Sequence, residues 1–359
     1  MIKRVLITGA AGFLGSHAVR HFLMNTDWDV VALVSFRHRG MSPRLYQSMS
    51  EGRGRVTVVT HDLIGPIDKV TAHEIGPVDY IINYAAESHV DRSIAEPGPF
   101  ISNNVTSVLT MLEYARTLEG LKAFVQISTD EVYGPAPEGH AHKEWEAHLP
   151  SNPYSASKSA QEAIAFSYWR TYGVPVVITN CMNLIGEMQD PEKFVPMVIK
   201  KVLRGEEIPL HARQITFPSS PFDSATKLGW EYGSRFYLHA RNMADAVLFL
   251  LTEGGAWSPP KFSQGFDRPA KFHIVGEREV DNFEMASMIF DAYMEASPPG
   301  VKYFKPKPVD FHSSRPGHDM RYALDGSKLE ELGWKRPVSL EEAIKRTVAW
   351  YLKNPEWLG

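Results

Sequence analysis

Short apolar runs alternate with longer stretches in which apolar residues recur every three or four positions along the first half of the chain. The short runs are rich in valine and isoleucine and end at Gly, Asn, Ser or Thr, which predicts buried strands, and the longer stretches predict helices. We place strands at residues 3–8, 29–34, 56–60, 78–83, 124–127 and 174–180. We place helices at 16–24, 100–118 and 159–172. This alternation predicts an α/β fold with a doubly wound parallel sheet of the Rossmann type.

The alternation loosens after residue 180. Helices are predicted at 194–204, 240–252, 282–296, 327–332 and 339–354, with strands at 208–211, 235–239 and 271–275. Residues 212–233 are rich in Ser, Pro, Thr and aromatics, and an insertion of this length is usually functional or mobile. We therefore expect a sheet domain of residues 1–180 with parts of 235–275. A smaller, discontinuous lobe should comprise 181–234 and 276–359.

Composition narrows the class of protein. The 359 residues are 43% hydrophobic, which is enough for a large core. A net charge of −4 without a long basic block argues against nucleic acid or an anionic membrane as partner. Cys181 is the only cysteine, so we expect neither an internal disulfide nor a multi-cysteine metal site. The chain opens directly on a strand and has no run of membrane-spanning length, so we expect a cytoplasmic enzyme without a bound metal.

A glycine-rich turn links the first strand to the first helix. Gly9, Gly12 and Gly15 surround Phe13 and Leu14 in this turn. Such spacing permits a tight turn, a close approach to a pyrophosphate, and an anion at the helix N-terminus. The turn predicts dinucleotide binding by the sheet domain; the alternative is a turn that serves only packing.

The end of the second strand bears on which dinucleotide binds. An acidic residue often stands there to hold the ribose hydroxyls of NAD, but this chain has Ser35, Arg37 and Arg39. A hydroxyl with two guanidinium groups suits a 2′-phosphate, so we predict NADP in preference to NAD. The alternative is a solvated loop.

Two further loops follow strands at the same edge of the predicted sheet. Asp62 and Leu63 follow the third strand, where the acid would hold the adenine amino group or cap the next helix. Ala85 and Ala86 follow the fourth strand, and their small side chains would let the cofactor lie against the backbone.

The stretch from residue 124 to 158 carries the candidate chemistry. Thr129, Asp130 and Glu131 follow a predicted buried strand, at the sheet edge where ligands bind. Tyr154 and Lys158 are four residues apart and so share one face of a helix. A lysine there is expected to lower the pKa of the tyrosine and make it a usable base. These residues predict a catalytic site; for the two acids the alternative is a solvated turn.

Together these motifs resemble the extended short-chain dehydrogenase/reductases, and most of all their nucleotide-sugar 4,6-dehydratases. The resemblance covers nearly the whole chain and rests on residues 9–15, 85–94, 128–134, Tyr154 with Lys158, 190–193 and 315–322. The Tyr-Lys pair marks the superfamily only, whereas the Thr-Asp-Glu triplet is more specific.

The resemblance implies a mechanism with a bound, recycled nicotinamide. Tyr154, aided by Lys158, would take the proton of the sugar 4-hydroxyl as hydride leaves carbon 4, and Thr129 would hold the 4-oxygen. Glu131 would then remove the carbon 5 proton while Asp130 protonates the departing 6-hydroxyl. Two neighbouring carboxyl groups can divide these roles if their pKa values are pushed apart. Return of hydride to carbon 6 gives a 4-keto-6-deoxy sugar.

The resemblance also assigns a nucleotide-diphosphate hexose as the substrate. Its candidate contacts are Ser88, His89, Asn183, Lys193, Arg235, Arg315 and His318. Asn183, Lys193, Arg235 and Arg315 would bind the diphosphate, with His318 near the nucleotide; surface ion pairs are the alternative. For His89 the alternative is a packed or solvated histidine. Asn104, grouped with the cofactor contacts, would help to place Tyr154. The helices at 100–118 and 155–171 would form a homodimer interface, unless their apolar stripes belong to the core.

Other activities stay open at this point. A 4-epimerase or a 5,6-dehydratase would share Tyr154 and Lys158, although a 4-epimerase has no need of Asp130 and Glu131. A non-catalytic NADP-binding regulator is the alternative from another class. The sequence leaves the nucleobase open between dTDP, UDP, CDP and GDP.

Overall fold

The strands and helices follow the predicted order closely. The computed structural model describes residues 2–37, 41–50, 52–218, 226–252, 267–296, 303–310 and 319–359. Its strands are β1 (Arg4–Thr8), β2 (Asp29–Val34), β3 (Val56–Thr60), β4 (Tyr80–Asn83), β5 (Ala123–Thr129), β6 (Val176–Cys181), β7 (Asn183–Ile185), β8 (Ile208–Pro218), β9 (Thr226–Tyr232), β10 (Ser234–His239), β11 (Ala270–Ile274), β12 (Glu279–Asp281) and β13 (Pro306–Asp310). Its helices are α1 (Phe13–Asn25), α2 (Met41–Ser48), α3 (Lys69–Ile75), α4 (Val90–Ala95), α5 (Pro97–Ala115), α6 (Pro153–Tyr172), α7 (Phe194–Arg204), α8 (Ala240–Thr252), α9 (Asn282–Ala296), α10 (Ser327–Glu331) and α11 (Leu340–Lys353).

Seven strands form one parallel sheet in the order β3-β2-β1-β4-β5-β6-β11. The strand order reverses beside β1, which lies between β2 and β4. Ligands bind at such a switch point, beyond the carboxyl ends of the strands. The predicted doubly wound α/β fold is confirmed.

The central strands of the sheet are buried on both faces. Along β1, Val5 and Ile7 pack with α1 and α8 on one side, while Leu6 packs with α5 and α6 on the other. This alternation follows from the two-residue period of a strand, and burial on both faces favours consecutive apolar residues. The edge strand β3 differs, since most of its residues are exposed.

A separate apolar cluster lies in the second half of the chain. It joins α7, α9 and α11 with side chains of β8 and β10. Two small sheets, β12-β10-β7 and β13-β8-β9, accompany it. These features support a smaller lobe, while the exact division of the chain into domains stays a prediction.

The long segment after residue 212 contains regular structure. The strand predicted at 208–211 continues as β8 to Pro218 and pairs antiparallel with β9, from Ala212 opposite Tyr232 to Pro218 opposite Thr226. The alternation of polar and apolar residues in 214–217 is a strand pattern that the surrounding Ser and Pro residues obscured. Residues 219–225 lie outside the described ranges.

Several helices begin earlier than the sequence pattern indicated. Helix α6 starts at Pro153, where Asn152 and Ser155 form a reciprocal capping box. Tyr154 therefore lies in the first turn of α6, directly beside the sheet edge. Over the ranges that the structure describes, no helix combines the length and the apolar character needed to cross a bilayer.

Candidate active site

A cleft of about 1050 Å³ opens at the carboxyl edge of the sheet. It is lined by the β1–α1 turn and by the loops after β2, β3 and β4. Residues 127–131, the start of α6, β7 and the start of α7 also line it. The predicted cofactor and catalytic residues that the structure describes thus meet at this cleft, with the exception of Asn104.

The glycine turn has the shape of an anion cradle. Gly9 has φ of +60°, and the Gly12 N–H donates to its carbonyl oxygen at 2.8 Å. A Cβ atom at Gly15 would lie 2.2 Å from the Gly9 oxygen, so the close approach of α1 to the turn requires glycine. Phe13 and Leu14 begin α1 and line the cleft. The first N–H groups of α1 thus face a space that fits a pyrophosphate.

The predicted adenosine end lies at the same cleft, but its contacts do not support a preference for NADP. Ser35, Arg37, Asp62 and Leu63 all line the cleft. However, Arg37 pairs with Asp62 at 3.2 Å and donates to Asn103 Oδ1 at 2.9 Å. A guanidinium group held in this way is not arranged as a dedicated phosphate site. Arg39 lies outside the described residues.

The loop after β4, which carries two of the predicted cofactor contacts, also lines the cleft. Ala85 and Ala86 line the cleft, and the Ala85 N–H donates to Thr8 Oγ1 at 3.1 Å. Asn104 lies buried behind this loop, accepting from the Glu87 N–H at 2.7 Å and donating to Ser157 Oγ at 2.8 Å. These bonds tie the loop to α6, which favours a positioning role for Asn104 over a direct cofactor contact.

The two acids follow β5 in a single 3₁₀ turn, Asp130–Tyr133. Thr129 Oγ1 donates to Asp130 Oδ1 at 2.9 Å, and Asn152 Nδ2 donates to Glu131 Oε2 at 3.0 Å. Asp130 is only 3% exposed, and its Oδ2 atom has no hydrogen-bond partner within the described part of the chain. A solvated acidic turn is therefore wrong for Asp130.

Burial changes the pKa of the Asp130 carboxyl group. Removal from water, with a further contribution from the Glu131 charge, raises the pKa of Asp130 to about 7. Asp130 can therefore hold a proton near neutral pH, while Glu131 accepts a hydrogen bond from Asn152. A carboxyl group that keeps its proton near neutral pH can serve as an acid.

Tyr154 and Lys158 line the cleft, but the pKa of Tyr154 in the polypeptide itself lies above its ordinary value rather than below it. Burial, followed by the charge of Glu131, raises the pKa of Tyr154 well above its ordinary value. Burial lowers the pKa of Lys158 to about 8, and its ammonium donates to Ile127 O at 2.7 Å and Gln161 Oε1 at 2.6 Å. The sequence spacing gave no sign of the carboxylates that oppose the lysine.

A buried polar network behind β5 was not predicted. Lys271 of β11 pairs with Glu162 of α6 at 2.7 Å. Asn180 of β6 donates both to Glu162 Oε1 at 2.7 Å and to the Thr129 carbonyl at 2.9 Å. Ser128 Oγ also donates to Glu162 Oε1. The network holds the carboxyl end of β5 in place. The sequence feature that could have indicated it is a lysine inside an otherwise strand-like segment.

Five of the candidate substrate contacts line the same cleft. They are Ser88, His89, Asn183, Lys193 and Arg235. Lys193 Nζ donates to Ser88 O at 3.0 Å, and His89 Nε2 lies 3.1 Å from Glu192.

Arg235 is held by backbone oxygens at the cleft wall. It donates to the carbonyls of Asp319 and Met320 at 2.6 and 2.8 Å, and its guanidinium lies over the Tyr322 ring. Arg315 and His318 fall outside the described residues, so their assignments stay predictions.

Comparison with known proteins places the chain in a family. The family model for GDP-mannose 4,6 dehydratase matches residues 6–347. The chain belongs to this family. It is 33% identical to dTDP-glucose 4,6-dehydratase of Salmonella typhimurium, and 35% identical to a probable dTDP-glucose 4,6-dehydratase of Sinorhizobium fredii. Each match covers 99% of this chain and 94% of the relative.

Solved structures agree. A dTDP-glucose 4,6-dehydratase from Streptomyces venezuelae with NAD bound is 32% identical, with a TM-score of 0.79 over 99% of this chain and 98% of the other. A UDP-glucose 4-epimerase from Thermus thermophilus in complex with NAD is 26% identical, with a TM-score of 0.77 over 97% and 99%. The expectation of an extended short-chain dehydrogenase/reductase, and of a nicotinamide-dependent nucleotide-sugar dehydratase, is confirmed.

Proposed function

We propose that this protein is an NDP-hexose 4,6-dehydratase that converts a nucleotide-diphosphate hexose to its 4-keto-6-deoxy derivative. The observation that carries the proposal is Asp130, a buried carboxyl group with a raised pKa, beside Glu131 in the cleft that also holds Tyr154. Elimination of water needs one group that donates a proton and one that accepts it. A 4-epimerase of the same fold eliminates no water and has no need of Asp130 and Glu131.

The residues of the cleft divide the reaction between them. Tyr154 takes the proton of the sugar 4-hydroxyl, and the Thr129 hydroxyl holds the 4-oxygen. The ketone at carbon 4 acidifies the carbon 5 proton, which Glu131 removes. Asp130 then delivers its proton to the departing 6-hydroxyl, which leaves as water. Lys158 and Asn104, through Ser157, keep the first turn of α6 in place.

The cofactor proposed for this site is NAD, held at the glycine turn and at Ala85 and Ala86. When bound, the oxidised nicotinamide would take up and return a hydride, and its positive charge would favour the Tyr154 phenolate. Two observations support NAD over NADP: the pairing of Arg37 with Asp62, and relatives solved with NAD.

The first substrate to test is dTDP-glucose, because the two relatives compared above, at 33% and 35% identity, carry that name. The protein should be incubated with the dTDP, UDP, CDP and GDP hexoses and the products examined by NMR. Deuterium placed at carbon 4 should appear at carbon 6 of a 4-keto product. A converted sugar that keeps its 6-hydroxyl would refute dehydration.

A single variant tests the assigned roles. Glu131→Gln replaces the carboxylate by an amide of similar shape and should block loss of water. It should still allow partial reduction of bound cofactor, seen as absorbance of the reduced nicotinamide. Loss of this first hydride transfer, in a folded variant, would contradict the role of Glu131. Glu119→Gln, an exposed surface change, is the matched control.

We also propose that the chain forms a homodimer through α5 and α6. Helix α5 is packed on the core along one side, yet Ile101 and Leu109 are 44% and 41% exposed. These exposed apolar side chains are the observation that supports the interface. Light scattering after size exclusion should give twice the mass of one chain, and replacement of Leu109 by Glu should reduce it.

A further inference from the structure

The loop between the catalytic 3₁₀ turn and α6 brings together two histidines and a glutamate. The ligand atoms of His140, His142 and Glu146 all lie within 4.8 Å of one another. Glu146 Oε2 is 3.1 Å from His140 Nε2 and 2.7 Å from His142 Nδ1. Two imidazole nitrogens and one carboxylate are a donor set that binds zinc and similar ions, with further positions left for water.

Two of the three groups are oriented before any ion arrives. The backbone N–H of His142 donates to the Ala323 carbonyl at 3.0 Å, and the His142 carbonyl accepts from the backbone N–H of Asp325 at 2.9 Å. Its ring lies nearly parallel to that of Tyr133, with centroids 5.3 Å apart. Glu146 Oε1 accepts from the Lys143 N–H at 2.9 Å, which turns Oε2 toward the histidines. Such preorganisation reduces the entropy lost on binding.

The third group provides access. The His140 side chain is 44% exposed, whereas that of His142 is 11% exposed. Arg321 donates to the carbonyls of Pro137 and His140, both at 2.7 Å, and so holds the loop on which His140 stands. An ion can therefore enter from solvent at His140 and meet His142 and Glu146 behind it.

We propose that His140, His142 and Glu146 form a binding site for a divalent transition-metal ion of the zinc class. The three residues lie apart from the walls of the cleft, and the dehydration chemistry has no use for the ion. The stacking of His142 on Tyr133 links the site to the turn that carries Asp130 and Glu131. The role that fits this placement is structural: the ion holds the loop against the catalytic turn.

The test uses untagged, full-length protein that has been dialysed against chelator. Titration with Zn²⁺ by calorimetry should show one site per chain, and Co²⁺ should give a visible absorption band with the intensity of a histidine-bound ion. His140→Asn and Glu146→Gln should each weaken Zn²⁺ binding at least tenfold, because each removes one of three ligands. His73→Asn, an exposed histidine on α3, should leave it unchanged.

A purely hydrogen-bonded His-Glu-His cluster predicts the opposite results. In that case neither Zn²⁺ nor Co²⁺ binds with one-to-one stoichiometry, or binding persists in both His140→Asn and Glu146→Gln. Either outcome overturns the proposal. Since His140 is exposed, its variant should fold, and circular dichroism of both variants checks this before titration. Sugar turnover does not enter the test, so its outcome is independent of the proposed dehydratase activity.

Discussion

The buried carboxyl group of Asp130 should make the stability of this protein depend on pH in an unusual direction. Burial and the charge of Glu131 raise its pKa from 3.8 to about 7 in the folded chain. Between these two values the folded state binds one proton more than the unfolded state, so the free energy of unfolding falls as pH rises. At about 1.4 kcal/mol for each pKa unit, the whole window amounts to about 4 kcal/mol.

The change that isolates this contribution is Asp130→Asn. The amide is close in shape to the carboxyl group, stays neutral, and keeps an oxygen that accepts from Thr129. Urea denaturation at pH 4.5 and at pH 8 gives the free energy of unfolding of wild type and variant. From the lower to the higher pH, stability should shift in favour of the variant by about 3 kcal/mol. Titrating groups that do not interact with Asp130 cancel in this double difference.

Two further measurements decide whether the reasoning holds. Glu119→Gln removes an exposed carboxyl group and should show a double difference near zero. In a Glu131→Gln background the value for Asp130→Asn should shrink, because the Glu131 charge contributes to the raised pKa. If Asp130→Asn changes stability equally at both pH values, Asp130 is ionised in the folded protein at neutral pH and cannot be the acid.

Two other predictions test the structure around the cleft. Lys271→Met leaves the buried charge of Glu162 without its lysine partner and should lower the free energy of unfolding, measured by urea denaturation, by about 3–5 kcal/mol. Adding Glu162→Gln should restore most of this loss. Equal losses in the single and double variants would contradict the prediction. Gly15→Ala places a methyl group 2.2 Å from the Gly9 oxygen and should abolish NAD binding in calorimetry, whereas Gly54→Ala, which meets open space, should not. Normal NAD affinity in Gly15→Ala would show that the turn does not hold the dinucleotide.

The sequence was sufficient where the relevant physics is local. Spacing and periodicity predict the glycine turn, the succession of motifs after individual strands, and the placement of Thr129 at a strand end. The structure contains all three. The contacts of Arg37 and Lys158 were not accessible in this way. Arg37 meets Asp62 and Asn103, and Lys158 meets the Ile127 carbonyl, all through folding of distant segments. The sequence therefore indicated where a basic side chain would lie, but it did not indicate which group that side chain would contact.

The same burial that suits Asp130 for its role opposes that of Tyr154. A neutral carboxyl group and a neutral phenol are both favoured by a cleft out of water and near the Glu131 charge, yet dehydration needs the acid protonated and the phenol deprotonated. The Lys158 ammonium, bound to a carbonyl and an amide oxygen, does not offset this within the polypeptide. A second cation beside the phenol would favour its deprotonation, and the oxidised form of the proposed cofactor carries one. Tyr154 should therefore act as a base only in the loaded enzyme, which confines removal of the 4-hydroxyl proton to the state in which hydride has an acceptor.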